Sequence, residues 1–179
     1  MLGDYYKQAL KRILLEIDNL IQKMRTTQYC QVYEPIGLPV VEPNHVLPED
    51  LKRFYSLCGG LHLFDDPGGI YYSMTIVPPT RCVLANPVII GERVEDDITA
   101  SWYIIGDDGN GDYLTIDFSH ERLGRCYDSF HEIHGLRGDC PIIANSFTDL
   151  LACLYNNNGQ YWYWLLPDFV PLGDAYDGL

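Results

Sequence analysis

A chain of 179 residues, 47% apolar and 21% charged, has the size and composition of one ordinary globular domain, and it is long enough to bury a core without metal or disulfide staples. Its 12 Lys and Arg against 25 Asp and Glu give a formal charge of −13, which excludes nucleic acid and anionic membranes as partners unless a basic patch is segregated from the rest. No such patch exists: Lys7, Lys11, Arg12, Lys23 and Arg25 alternate with Asp4, Glu16 and Asp18, the pattern of a solvated helix face.

In chain order, Tyr6, Leu10, Ile13, Leu14, Ile17, Leu20, Ile21 and Met24 recur at three- and four-residue steps, which predicts a first helix. Pro35, Pro39 and Pro43 then mark 26–46 as an extended connector. Pro48, Glu49 and Asp50 open a second helix with Leu51, Phe54, Tyr55 and Cys58 facing inward, and Gly59–Gly60 stop it. Strand-like runs follow over 61–64, 70–77, 81–90, 102–106, 113–118 and 125–130, the spacing of an antiparallel meander.

The break from Gly106 to Asp112 carries Asp107, Asp108, Gly109, Asn110 and Gly111, residues that tolerate positive φ, and predicts a hairpin. Ser146, with Asp149 three residues on, starts a third helix whose apolar face is Leu150, Leu151, Leu154 and Tyr155. The tail 160–179 is aromatic first (Trp162, Trp164, Leu165, Leu166, Phe169), then acidic. Its tryptophans either pack on the sheet or anchor a partner.

Cys30, Cys58, Cys82, Cys126, Cys140 and Cys153 are scattered without a C-x-x-C pair, so reduced core thiols are expected. The N-terminus lacks an apolar run before a cleavage site, and no segment approaches the ~20 apolar residues of a membrane helix. A cytosolic protein is the expectation.

Catalytic constellations are weak. His131 and His134, with Asp128 nearby, allow a metal-dependent hydrolase only if their segment is helical and both face one side. The D-D-G-N-G-D run at 107–112 lacks the distal Glu of a calcium loop, and its glycines precede a strand rather than the helix a phosphate loop requires. The expectation is a protein without catalytic activity, cofactor or metal.

The order of three landmarks is informative: Leu47-Pro48-Glu49-Asp50-Leu51-Lys52-Arg53-Phe54-Tyr55 closing on Gly59-Gly60, then Ile105 through Tyr113, then Ala144-Asn145-Ser146-Phe147-Thr148-Asp149-Leu150-Leu151. In that order the chain resembles the SUKH superfamily, the Smi/Knr-like proteins, over about residues 43–156. The resemblance implies an α+β fold, a central, mainly antiparallel sheet of about six strands flanked by N-terminal, middle and C-terminal helices. It leaves the aromatic extension 160–179 unsupported within a single domain of 1–179.

For function the resemblance implies binding without catalysis, as an immunity protein against a cognate bacterial toxin, often a nuclease, or as a regulatory scaffold of the type that controls cell-wall glucan synthesis. An acidic protein suits the basic groove of a nuclease. The expected contact surface is Glu92, Glu95, Asp96 and Asp97 before Trp102, with Asp107, Asp108 and Asp112 in the hairpin. Those hairpin acids either meet the partner or only shape the turn. Trp102, Tyr103, Tyr71 and Tyr72 are candidate aromatic anchors or strand packing.

Overall fold

The computed structural model describes residues 2–178, except the side chains of 2–6; Tyr6 and Asp4, assigned above to the first helix's apolar stripe and charged face, lie outside the described side chains. The periodic segment is helix α1, Leu2–Met24. Its last turns carry the burial, with Ile17, Leu20, Ile21 and Met24 in the core, whereas Ile13 faces solvent. Helix α2, Glu49–Leu57, crosses it, pinned where the Arg53 guanidinium forks onto Asp18 with both bonds at 2.8 Å. Helix α4, Phe147–Asn156, completes this layer; Ser146 accepts the Asp149 amide at 3.0 Å, the cap its sequence predicts.

Asp50 does more than complement its own helix dipole. Its buried carboxylate accepts the Thr148 amide at 2.9 Å and hydroxyl at 3.0 Å, so it ties the first turns of α2 and α4 together. Gly59 and Gly60 likewise do more than stop α2. A Cβ at Gly59 would sit 2.3 Å from the Glu34 carbonyl oxygen, and Gly60 has φ +106° with the Ile76 carbonyl 2.8 Å from its Cβ position. Only glycine lets the connector and the sheet approach so closely.

The sheet has seven strands: β1 Gln31–Val32, β2 Leu61–Leu63, β3 Met74–Ile76, β4 Trp102–Asp107, β5 Tyr113–Asp117, β6 Cys126–Ser129 and β7 Ile142–Ala144. They lie side by side in chain order, every pair antiparallel. The fold is the expected α+β arrangement with an antiparallel meander. The strand count is seven rather than six because β1 and β7 lie outside the expected runs while one of those runs, 81–90, adds no strand.

The run 81–90 is a correction. It forms no strand but helix α3, Ala85–Ile89, and only Leu84 makes an isolated bridge, to Tyr103 of β4. Pro87 has no N–H to give a ladder, yet it fits the first turn of a helix, where that N–H has no partner. Val83, Val88 and Ile90 consequently point to solvent.

One sheet edge is closed by the tail. The Leu172 amide donates to the Ile142 carbonyl, the Ile142 amide to that of Gly173, and the Ala175 amide to that of Cys140. The tail therefore covers β7, an edge that would otherwise offer unpaired backbone groups to other chains. All six cysteines are free. Burial pushes the Cys58 thiol up to about 11 and Cys82 and Cys140 up to about 12, the state of inert core thiols; Cys153, by contrast, is exposed.

Candidate functional site

Two acidic regions stand out, and β4 separates them. The segment Glu92–Asp97 leads into its start and the 107–112 hairpin follows its end, roughly 17 Å away at about 3.4 Å per residue. They are two surfaces rather than one patch.

At the first, Glu92, Glu95 and Asp96 are exposed and make no ion pair or side-chain hydrogen bond among the described residues. Asp97 is committed to structure: it caps the 3-10 turn Ile98–Ser101 by accepting the Thr99 amide at 2.9 Å and accepts the Tyr176 hydroxyl at 3.1 Å. Arg93 pairs with Glu42, and beside it a groove of about 330 Å³ is lined by His45, Asn86, Glu95 and Thr99.

Trp102 does not reach this surface. It is 0% exposed, stacked on Tyr127 at 4.1 Å, and its indole N–H donates to Asp117 at 3.2 Å, so it cannot touch a partner. Tyr103 is buried too, against Phe118, with its hydroxyl on His45 and the Glu42 amide. The remaining candidate anchors, Tyr71 and Tyr72, are exposed.

At the second region, Asp107 is buried, accepts the Gly109 amide at 2.8 Å and pairs with Arg81 at 2.5 Å. Asp108 accepts the Asn110 amide at 2.8 Å and the Asp112 amide at 3.2 Å, while Gly109 and Gly111 take φ of +82° and +102°. These bonds build the turn, and they leave the Asp108 and Asp112 carboxylates on the rim of a second groove of about 330 Å³.

The other walls of that groove are aromatic: Tyr113, Phe130, Tyr161, Trp162 and Trp164. Trp162 and Trp164 lie parallel, 7° apart at 5.5 Å, and Tyr72 meets Tyr161 edge-on at 5.0 Å. The fold thus joins the hairpin acids to the aromatic tail in a single concavity. Of the tail's tryptophans, Trp164 is buried, as the packing expectation has it, and Trp162 is half-buried, whereas Tyr161 and Leu165 are exposed.

Sequence reasoning considered Asp128 only as a metal ligand. It lies on the wall of this groove, 8% exposed, accepting the Trp164 indole N–H at 2.9 Å and the Phe130 amide at 3.2 Å. Burial, and then the charges of Asp112 and Asp108, hold its carboxyl above the ordinary range. No local pattern marks it, because the strand is buried at all four positions and nothing in the sequence says that Trp164 faces Asp128.

His131 and His134 do not converge. His131 is exposed, with Nδ1 3.4 Å from Asp112, whereas His134 turns inward, its Nε2–H donating to the Asn86 side-chain oxygen at 2.8 Å and leaving Nδ1 buried without a partner. Burial drives its pKa down to about 4, so the ring is neutral near pH 7. Among the described residues no group of three or more His, Cys, Asp and Glu side chains is arranged to hold a metal ion.

The chain matches the SMI1 / KNR4 family (SUKH-1) over residues 42–153. It is 48% identical over 165 residues to a Bacillus subtilis (strain 168) protein named immunity protein YokJ, covering 92% of this chain and 98% of that one. No solved structure matches.

Proposed function

The chain belongs to the SMI1 / KNR4 family (SUKH-1), and from that premise we propose that it is an immunity protein, one that neutralises a cognate bacterial toxin by binding it rather than by chemistry. The observation that carries the reading is identity of 48% along nearly the full length of a relative named as an immunity protein. The toxin's chemistry follows from charge. A net charge of −13, with Glu92, Glu95 and Asp96 unpaired on one exposed loop, draws in a basic surface such as the substrate groove of a nuclease.

The protein acts in the cytosol of the cell it protects, where its free thiols stay reduced; no helix among the described residues is long and apolar enough to cross a membrane. Of the acids first expected at the contact, Glu92, Glu95, Asp96, Asp108 and Asp112 present carboxylates to a partner, and Asp97 and Asp107 shape the loops that hold them.

Co-expression with the product of the neighbouring gene tests the reading. Wild type restores growth and co-purifies with the toxin in a stable complex. If no toxin encoded beside the gene is neutralised, the reading fails and a regulatory scaffold takes its place.

A further inference from the structure

The hairpin–tail groove holds more negative charge than its surroundings balance. Asp108, Asp112 and Asp128 share it, and among the described residues no Lys or Arg bridges any of them. The basic neighbour they have is His131, an exposed ring 3.4 Å from Asp112 and charged only when protonated. A carboxylate that is 8% exposed, with two hydrogen bonds and no countercharge, is an uncommon arrangement. It costs stability that a structural acid does not.

The same groove of about 330 Å³ is lined by five aromatic side chains besides aliphatic ones, and aromatic faces attract cations. A planar cation satisfies the carboxylates and the aromatic rings together. A guanidinium stacks on an aromatic face and donates a fork of N–H groups to carboxylates, whereas an ammonium is compact, strongly hydrated and has no face to stack. Resting on the immunity reading above, we propose that this groove receives an arginine side chain of the toxin, its guanidinium held between Trp162 and the carboxylates of Asp112 and Asp128.

The groove then anchors the complex, and the loop Glu92–Asp96 steers the approach. An anchor of this kind is a desolvated pocket with aromatic walls, the setting in which interface hot spots form. Exposed Tyr161 and Leu165 line it, with exposed Tyr72 edge-on against Tyr161, and these side chains exclude water once the partner is seated.

The test has two arms. In the first, purified protein is titrated with L-arginine amide, L-lysine amide and the neutral isostere L-citrulline amide while amide and indole N–H resonances are followed. Arginine amide should produce saturable shifts at Trp162, Trp164, Asp112 and Asp128, lysine amide should bind at least fivefold more weakly, and Asp112→Asn or Trp162→Ala should weaken arginine amide at least fivefold. Citrulline amide matching arginine amide, or shifts confined to other surfaces, overturns the proposal.

In the second arm, the toxin's affinity for Asp112→Asn and Trp162→Ala should fall at least tenfold with the fold unchanged by the same spectra. If both variants neutralise the toxin as wild type does, the groove proposal falls and the immunity reading stands. If wild type neutralises no toxin but arginine amide still saturates the groove, the guanidinium site stands and the toxin is the wrong source.

Discussion

Asp117 on β5 and Asp128 on β6 are both buried acids of one sheet, and the fold treats them in opposite ways. Asp117 is 0% exposed and collects the Ser101 hydroxyl at 2.8 Å, the Trp102 indole at 3.2 Å, the Ser119 amide at 2.7 Å and the Arg122 guanidinium at 2.9 Å. Asp128 collects an indole and an amide, with other acids nearby in place of an arginine. An acid supplied with donors and a countercharge is a structural joint. One left short of both beside an open groove is where a partner's charge is most useful.

That contrast is sharpest in stability. Removing the Asp117 carboxylate strands a half-buried Arg122 and several donors, so Asp117→Ala should lose about 3–5 kcal/mol in denaturant unfolding. An Asp117→Ala protein as stable as wild type would erase the distinction. Trp164→Phe is the next largest: it keeps the ring but deprives Asp128 of its shorter bond, and should cost about 1–2 kcal/mol.

Asp128→Asn should behave unlike Asp117→Ala. Because the folded-state pKa of Asp128 is raised, its ionised form costs stability above that pKa, and the cost disappears as pH falls toward the unfolded value of about 3.9. Asparagine keeps one acceptor for the Trp164 and Phe130 N–H groups and turns its NH2 on the other, so the variant should lose about 1–2 kcal/mol near pH 4, and the deficit should shrink toward pH 7, where wild type bears the cost of the ionised carboxylate. His134 titrates in the opposite sense. Its folded pKa is depressed to about 4, so its stabilising contribution is complete above about 6.5 and is lost as pH falls toward 4, equally in both proteins. The difference between the two curves isolates Asp128.

The smallest stability effect belongs to the exposed loop. Glu92→Lys, Glu95→Lys and Asp96→Lys together should change stability by about 0.5 kcal/mol or less, because these side chains make no bonds among the described residues. Their effect should appear in kinetics instead, as a toxin association rate lowered roughly tenfold or more at low salt and less sensitive to added salt than that of wild type. A loss carried by dissociation alone would place the loop within the seated interface and blur its separation from the groove.

Much of this was legible in the sequence wherever the signal is local. The first helix and its end at Met24, the Ser146 cap and the Asp-Gly hairpin are decided by neighbours within a few residues and stand as read, although Ile13 of the expected apolar stripe faces solvent. The run 81–90 was misread for the converse reason: Val83, Leu84, Val88, Ile89 and Ile90 have strand composition, but Pro87 cannot join a ladder, and Asn86 is held by Thr99 at 3.0 Å and by His134. Those anchors lie 13 and 48 residues away, beyond any local pattern.

By itself, then, the sequence determined the α+β class, the helix ends, the hairpin and the acidic balance, because turn chemistry, periodicity and charge are properties of short segments or of sums. Only tertiary structure decided that Trp102 is core, that Asp97 and Asp107 are joints, and that Asp128 meets Trp164, 36 residues on, at the wall of a groove shared with the hairpin. Burial and countercharge belong to pairs of residues distant in the chain, and an acid's role follows from which donors the fold brings to it.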